Sequence, residues 1–371
     1  DPRLFSFRAD LMQLAKPQTA AGEHRFLPKY AGVPASSSNL GIVALAELIA
    51  YYKDPARQIL SNRLNLRLDA LEDGSLIDSE PLEANFDSIE RVTRRLFLEV
   101  ASKPEDGREL PESPPDWLRL DGLWPPGRVG DAAWEKERNA VSEALNLVTR
   151  HPLFVEGLPA AMPLRVDHDF NGLRLTGELS RIHAQGKSRW VFDVFPGKKE
   201  DDLGFRERIG VFLEWALLRL DDEAGTRHAR VLLLTTGEQK WQDAINAWDA
   251  KFMQACKNAE SALISEMLSE LRRRVSGLLA SYFDAKNHPA LYFPKTSWAA
   301  ITAKNPSQVA LVWSGGFAVT GERNYAPGYA AVIGRDLEFE VDSDELAVLE
   351  GHAWKLWGLI SFGLVEEAAN D

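Results

Sequence analysis

The sequence predicts an α/β protein in which a mixed sheet is flanked by helices, with a helical region ahead of it. Two observations carry this. From Met162 onward the apolar period changes from helical to two: PLRVDHDF, LRLTGELSRI and SRWVFDVF alternate, or are densely β-branched and aromatic, and read as an antiparallel meander. After them RERIGVFLEWALLRL reads as a helix and ARVLLLTT as a buried strand. QKWQDAINAWDAKFMQACKNAESALISEMLSELRRRVSGLLASYFD then reads as one or two long amphipathic helices.

Taken in order, residues 1–35 are Pro-, Gly- and Ser-containing and lack the pattern of a domain of their own. With an opening DPRLFSF in place of an initiator Met, they are expected to be a linker or the tail of a preceding domain in a longer protein. Residues 36–160 form the helical part. SSSNLGIVALAELIAYYKDPARQILSNRL predicts a helix capped by Ser or Asn and a second helix starting at the proline of DPAR. Acidic, Pro-containing loops flank DSIERVTRRLFLEVA, whose Ile89, Val92, Leu96 and Val100 share one face, and GLWPPGRVGDAAWEKERNAVSEALNLVTR is a turn followed by a helix. Residues 161–371 hold the α/β core, then the turn-rich GGFAVTGERNYAPGYAAVIG, the acidic DLEFEVDSDE and a last helix containing Trp354 and Trp357.

Composition narrows the function. At 371 residues and 45% hydrophobic the chain can bury a substantial core. NLGIVALAELIAYY, the fullest apolar run, is shorter than the roughly 20 residues that cross a bilayer and contains Glu47, so no membrane span is expected. A single cysteine, Cys256, excludes a disulfide framework and a four-cysteine metal site, and it is expected to be a small buried apolar residue of an amphipathic helix. Because nothing at the start reads as a secretory signal, an intracellular, cytoplasmic protein is expected. The net charge of -12 repels polyanions at long range, so any nucleic-acid role must rest on local basic surface. Eleven tryptophans are more simply explained by packing than by a base-stacking platform.

The stretch from Leu173 to Lys199 holds the residues nearest to a site. Read as two strands joined by a turn, it places Leu173, Leu175, Gly177 and Leu179 on one face, and Arg174, Thr176, Glu178 and Ser180 on the other. On the second strand Trp190, Phe192 and Val194 oppose Arg189, Val191, Asp193 and Phe195. A Mg²⁺-dependent phosphodiesterase of this topology needs an acid on each strand and a Lys two residues after the second acid, because hard cations take oxygen ligands and the Lys orients or activates water. Asp193 supplies one acid, but Phe195 stands where the Lys is needed and Ser180 where the first acid is expected. Glu178 is displaced by two residues, roughly 6–7 Å along a strand. Lys198 and Lys199 follow Pro196–Gly197, which is expected to take them out of the strand.

The order GxxD then DxK is the signature of the nuclease domain of the RecB and AddB family, the PD-(D/E)XK or restriction-endonuclease-like fold, and this sequence resembles it, with GELS for GxxD and DVF for DxK. Val211 and Leu213 in VFLEWALLRL occupy places where active members carry Gln and Tyr. DPARQILSNRLNL, TGELSRI, FLEWALLRL, YFPKTSWAAI and GERNYAPGYA, in this order, resemble the C-terminal nuclease-like domain of the RecC family, the gamma subunit of exodeoxyribonuclease V, over nearly the whole chain. The resemblance implies a non-catalytic segment of the RecBCD helicase-nuclease, with Ser180, Asp193 and Phe195 as vestigial positions and no cofactor. It implies RecB and RecD as partners, a double-stranded DNA end and forked or single-stranded DNA as ligands, and a place in the bacterial cytoplasm, at the nucleoid during repair. Residues 1–35 would then end a helicase-like domain.

Two readings stand beside it. One is an active nuclease with a displaced Mg²⁺ site of Glu178, Asp193 and Lys198 or Lys199; the other is a protein-interaction module without DNA contact. Lys187, Arg189, Lys198 and Lys199 form a small basic rim at the ends of the second strand. Arg272, Arg273 and Arg274 fan across one helix, more simply a solvated face than a phosphate clamp. No two histidines have the spacing that puts paired ligands on one helical face, and His168–Asp169 is more simply a satisfied pair than a site.

Overall fold

The computed structural model describes residues 41–64, 86–120, 124–148, 151–287, 290–316, 319–325 and 337–364. The tail at 1–35, the expected Ser or Asn cap, and most of the turn-rich stretch near 326–336 lie outside the described residues.

The first described element is a strand, β1 (Gly41–Ala44), where a capped helix was expected. Its β-branched centre pairs parallel with a later strand, and the chain turns helical only at Leu45, after an extended Ala44 that offers no side-chain cap. Helix α1 (Leu45–Lys53) is followed by α2 (Pro55–Leu64), which starts at the expected proline; Asp54 accepts a hydrogen bond from the Arg57 N–H at 3.0 Å. Helices α3 (Phe86–Ala101) and α4 (Gly127–Val148) complete the helical part. Strands β2 (Leu164–Phe170), β3 (Leu173–Leu179), β4 (Ile182–Gln185) and β5 (Ser188–Lys199) follow, then α5 (Phe205–Asp221) and β6 (His228–Thr236). Helices α6 (Lys240–Lys257), α7 (Ser261–Asn287), α8 (Pro294–Thr302), α9 (Pro306–Ser314) and α10 (Asp344–Ile360) close the order.

The strands do not form one meander. They form two mixed three-stranded sheets, β1-β3-β2 and β4-β5-β6. Leu173–Leu179 is antiparallel to β2 and parallel to β1, while β5 is antiparallel to β4 and parallel to β6. The expected pairing of Leu173–Leu179 with Ser188–Lys199 is therefore corrected: the chain breaks at Ser180–Arg181, and the short β4 makes the hairpin with β5 across Gly186, whose φ of +56° suits a tight turn. Gly177 has a packing reason. A Cβ there would lie 2.8 Å from the Leu45 Cβ, so only glycine lets β3 lie against the start of α1.

A second correction concerns the lysines. β5 runs through Pro196–Gly197 to Lys199, which pairs with Thr236 after a register shift beyond Val194. Gly197 takes φ +73° within this irregularity, so the Pro-Gly pair bulges the strand without ending it.

The alternation of β5 sorts its side chains as expected. Trp190, Phe192 and Val194 pack with Val92, Leu96, Phe97 and Val100 of α3 and with the apolar side of α4, while Val191 and Phe195 join the larger core under α5. Helix α5 is buried nearly all round, between the sheet and α7, and Arg208, Glu214 and Arg219 are buried with it. All eleven tryptophans are buried or half-buried, which bears out packing. Three of them, Trp241, Trp298 and Trp357, surround the guanidinium of Arg208, whose pKa burial lowers to about 10. Cys256 is half-buried, less enclosed than expected, against Gly225 at the rim of a cavity of about 350 Å³.

Candidate functional site

The pocket around Asp193 is assembled from four elements. Asp193 sits on the face of β5 that turns toward α5, and it is 3% exposed. Continuing the β4–β5 register, in which Ile182 faces Val191, sets Ser180 opposite Asp193; the Phe192 N–H donates to the Arg181 carbonyl at 3.1 Å across the same step. The break between β3 and β4 thus leaves Arg181 beside the carboxylate.

Arg181 joins two acids. Its Nη1 is 2.6 Å from Asp193 Oδ2, and its Nε is 2.9 Å from Oε2 of Glu214 on α5. Asp193 Oδ1 accepts from Arg94 Nη1 and, at 2.8 Å, from the Val194 N–H. Arg94 reaches it from α3, whose apolar side packs on the other face of β5. Burial raises the Glu214 pKa, and the Arg181 charge opposes this. Burial works against the charged form of Arg181 too, but Glu214 and Asp193 outweigh it, so the guanidinium stays ionised. Lys53, in the last turn of α1, has its pKa lowered by the surrounding protein and then by Arg181, with Asp193 acting the other way. The pocket is therefore rich in cations and its two carboxylates are already engaged.

These residues do not fit a divalent metal. Both Asp193 oxygens hold guanidinium hydrogens, Ser180 is exposed without an acid, and Phe195 is 6% exposed in the core where a lysine would be needed. Among the described residues no group of three or more His, Cys, Asp or Glu side chains is arranged to hold a metal. Glu178 is exposed on β3 opposite Arg165, two residues before Ser180, and is not brought to Asp193. Lys198 lies 5.9 Å from the Phe195 ring centroid, and Thr236 Oγ1 donates to the Lys198 carbonyl. Val211 and Leu213 are buried core residues.

The basic residues separate into two places. Lys187 and Arg189 stand at one end of β5 and Lys198 and Lys199 at the other, roughly 30–40 Å apart at the rise of a strand. Arg189 Nη1 is 3.7 Å from Asp221, and Arg272 pairs with Glu223, so these two arginines meet acids at the same end of α5. Arg273 Nε is 2.7 Å from Glu270, and Arg274 binds Glu270 and the Leu359 carbonyl. His168 has a buried Nε2 without a hydrogen-bond partner, and Asp169 accepts from the Gly172 N–H, so the two do not form a site together.

Sequence reasoning did not single out Arg94, Arg181, Glu214 or Lys53. Glu214 carried a readable signal, an acid inside the apolar run VFLEWALL, where burial requires a partner. Arg181 and Arg94 carried none, because residue type and strand period do not say where an arginine at a chain break or on a helix flank will reach.

No curated protein matches the chain. A family model described as the RecC C-terminal domain matches residues 41–305, a span that includes both three-stranded sheets, all four elements of the Asp193 pocket and the helices from α1 to α8. Membrane-spanning helices are absent among the described residues, none being long and apolar enough. The chain belongs to the RecC C-terminal domain family.

Proposed function

We propose that this domain is a non-catalytic part of the RecBCD helicase-nuclease in double-strand-break repair and homologous recombination, splitting and guiding the incoming DNA and docking RecB and RecD in the cytoplasm. The observation that carries the reading is the Asp193 carboxylate. It keeps an acid's place on a nuclease-like strand yet is held by Arg94 and Arg181, beside an exposed Ser180 and a buried Phe195. The order of an acid-bearing strand, a helix and a further parallel strand supports descent of the core from a PD-(D/E)XK nuclease. The work is then mechanical and electrostatic: apolar side chains part the duplex, basic ones guide phosphates, and partner subunits spend the ATP.

The test is binding of forked DNA by the purified chain across a salt series, alongside capture of RecB and RecD. Expected are affinity that falls with log salt at a slope of about -0.9 per phosphate contacted, retention of both partners, and no cleavage with Mg²⁺ or Mn²⁺. Mn²⁺-dependent cleavage of linear DNA that disappears on Asp193→Ala would overturn the reading in favour of an active nuclease. Salt-insensitive partner binding with no affinity for the fork would leave a protein-interaction module.

A further inference from the structure

We propose that Arg181 is the built-in cation of the Asp193 pocket, standing where an active nuclease of this fold holds its divalent ion, so that the pocket neither needs nor takes a metal. This rests on reading the pocket as the counterpart of a nuclease's metal site, and not on the DNA-guiding role.

The geometry is that of one cation shared by two acids from different elements. Arg181 Nη1 lies 2.6 Å from Asp193 on β5, and its Nε lies 2.9 Å from Glu214 on α5. A hard divalent ion ties carboxylates together in the same way, through oxygen, but a guanidinium does it with a permanent charge and a planar fork of donors. Gly210 of α5 lies against the same group: a Cβ there would stand in ordinary contact with Arg181 Nη2, at 3.5 Å, and would crowd Ile49 of α1 at 3.3 Å.

Charge closes the argument. Asp193 and Glu214 bring two negative charges, and Arg181 and Arg94 bring two positive ones, each within contact distance of Asp193. An incoming divalent ion would meet two guanidiniums at close range, with the Lys53 ammonium adding its positive charge, and repulsion in a partly buried site is strong. With Arg181 removed, Asp193 and Glu214 would keep Arg94 and Lys53 but lose the one cation that joins them.

The experiment measures Mn²⁺ uptake by the full chain without DNA, from loss of the free-ion electron paramagnetic resonance signal, together with Tm with and without Mg²⁺. A chain that binds no DNA leaves this readout unaffected, so failure of the functional reading and failure of this inference are distinguishable. Expected are no saturable uptake by the native protein up to about 1 mM Mn²⁺, and one equivalent taken up by R181A and lost again in R181A/D193N. The R181A Tm falls by about 10 °C and recovers in part with Mg²⁺. If R181A does not fold, R181Q, which keeps a hydrogen-bonding head and drops the charge, carries the same comparison. Saturable Mn²⁺ binding by the native chain that D193N abolishes overturns the proposal, and so does a folded R181A or R181Q that takes up none.

Discussion

Helix α5 carries two buried acid–arginine groups within two turns of each other, one around Glu214 and one around Arg219, and they differ in how they are closed. Arg219 is fully buried and Asp249 is 1% exposed. The Arg219 Nη atoms donate to Asp249 at 2.8 Å, to the Asp222 carboxylate at 2.9 Å and to the Arg227 carbonyl at 2.9 Å, and the guanidinium lies 4.7 Å from the Phe252 ring centroid. Asp249 also accepts from the Ala229 N–H at 3.2 Å and meets His228 Nδ1 at 2.9 Å. That group ties α5, α6 and the start of β6 together. At the Asp193 pocket, Arg181 is 19% and Arg94 38% exposed, and Lys53 interacts electrostatically with both Arg181 and Asp193. A buried ion pair by itself therefore does not single out a functional site, and the two groups differ in exposure and in the number of cations around the acid.

Four changes would break or sharpen this contrast. The largest effect is expected from Arg219→Met, which leaves the buried Asp249 without its guanidinium partner and costs about 3–5 kcal/mol in a urea melt, with no recovery on adding Mg²⁺. Arg181→Ala follows at about 2–4 kcal/mol, less because its guanidinium is partly solvated, and Mg²⁺ restores part of the loss. Equal response of the two variants to Mg²⁺ would erase the distinction between a sealed structural group and a remnant metal site.

The third concerns pH. Burial lowers the His352 pKa from 6.5 to about 4, and its ring stacks on Tyr292 with centroids 5.9 Å apart. Below pH 6.5 the unfolded chain takes up a proton that the folded chain refuses. Stability contributed by the neutral ring is thus full above pH 6.5 and is lost as pH falls toward 4, by about 2 kcal/mol. His352→Phe should flatten that part of a Tm-against-pH curve, and an unchanged slope would mean that other groups set the acid limit of the core. The smallest effect is expected from Arg94→Ala, about 0.5–1 kcal/mol, because its charge is screened by solvent while Arg181 still covers the Asp193 carboxylate. A loss equal to that of Arg181→Ala would show that the two guanidiniums hold the pocket jointly.

Much of this was legible in the residues. The alternation of SRWVFDVF assigned both faces of β5, Trp190, Phe192 and Val194 to one core and Val191 and Phe195 to the other, because period two leaves no choice once a strand is buried on both sides. GELS and DVF marked the place of the pocket, and the absence of an acid at Ser180 and of a lysine at Phe195 needed no coordinates. Three readings failed for physical reasons. Gly41–Ala44 looked helical because its apolar run continues into α1, and only pairing with β3 makes it a strand. The break at Ser180–Arg181 was invisible because one polar residue in an alternating run does not announce a change of partner. Pro196–Gly197 reads as a strand end, yet β6 holds the chain beyond it at Lys199.

The sequence alone thus determined the α/β class, the two faces of β5, the family resemblance and the residue types, Ser180 and Phe195, on which the reading of a lost site rests, since each depends on residue type and spacing along one element. Which sheet each strand joined, and which guanidiniums reached Asp193, was decided by the tertiary structure. Arg94 and Asp193 are far apart in the chain and on different elements, and Glu214 meets Arg181 only because α5 packs over the break between β3 and β4. Long-range pairing of buried charges follows from where desolvated groups find partners in the folded core, and local patterns do not encode it.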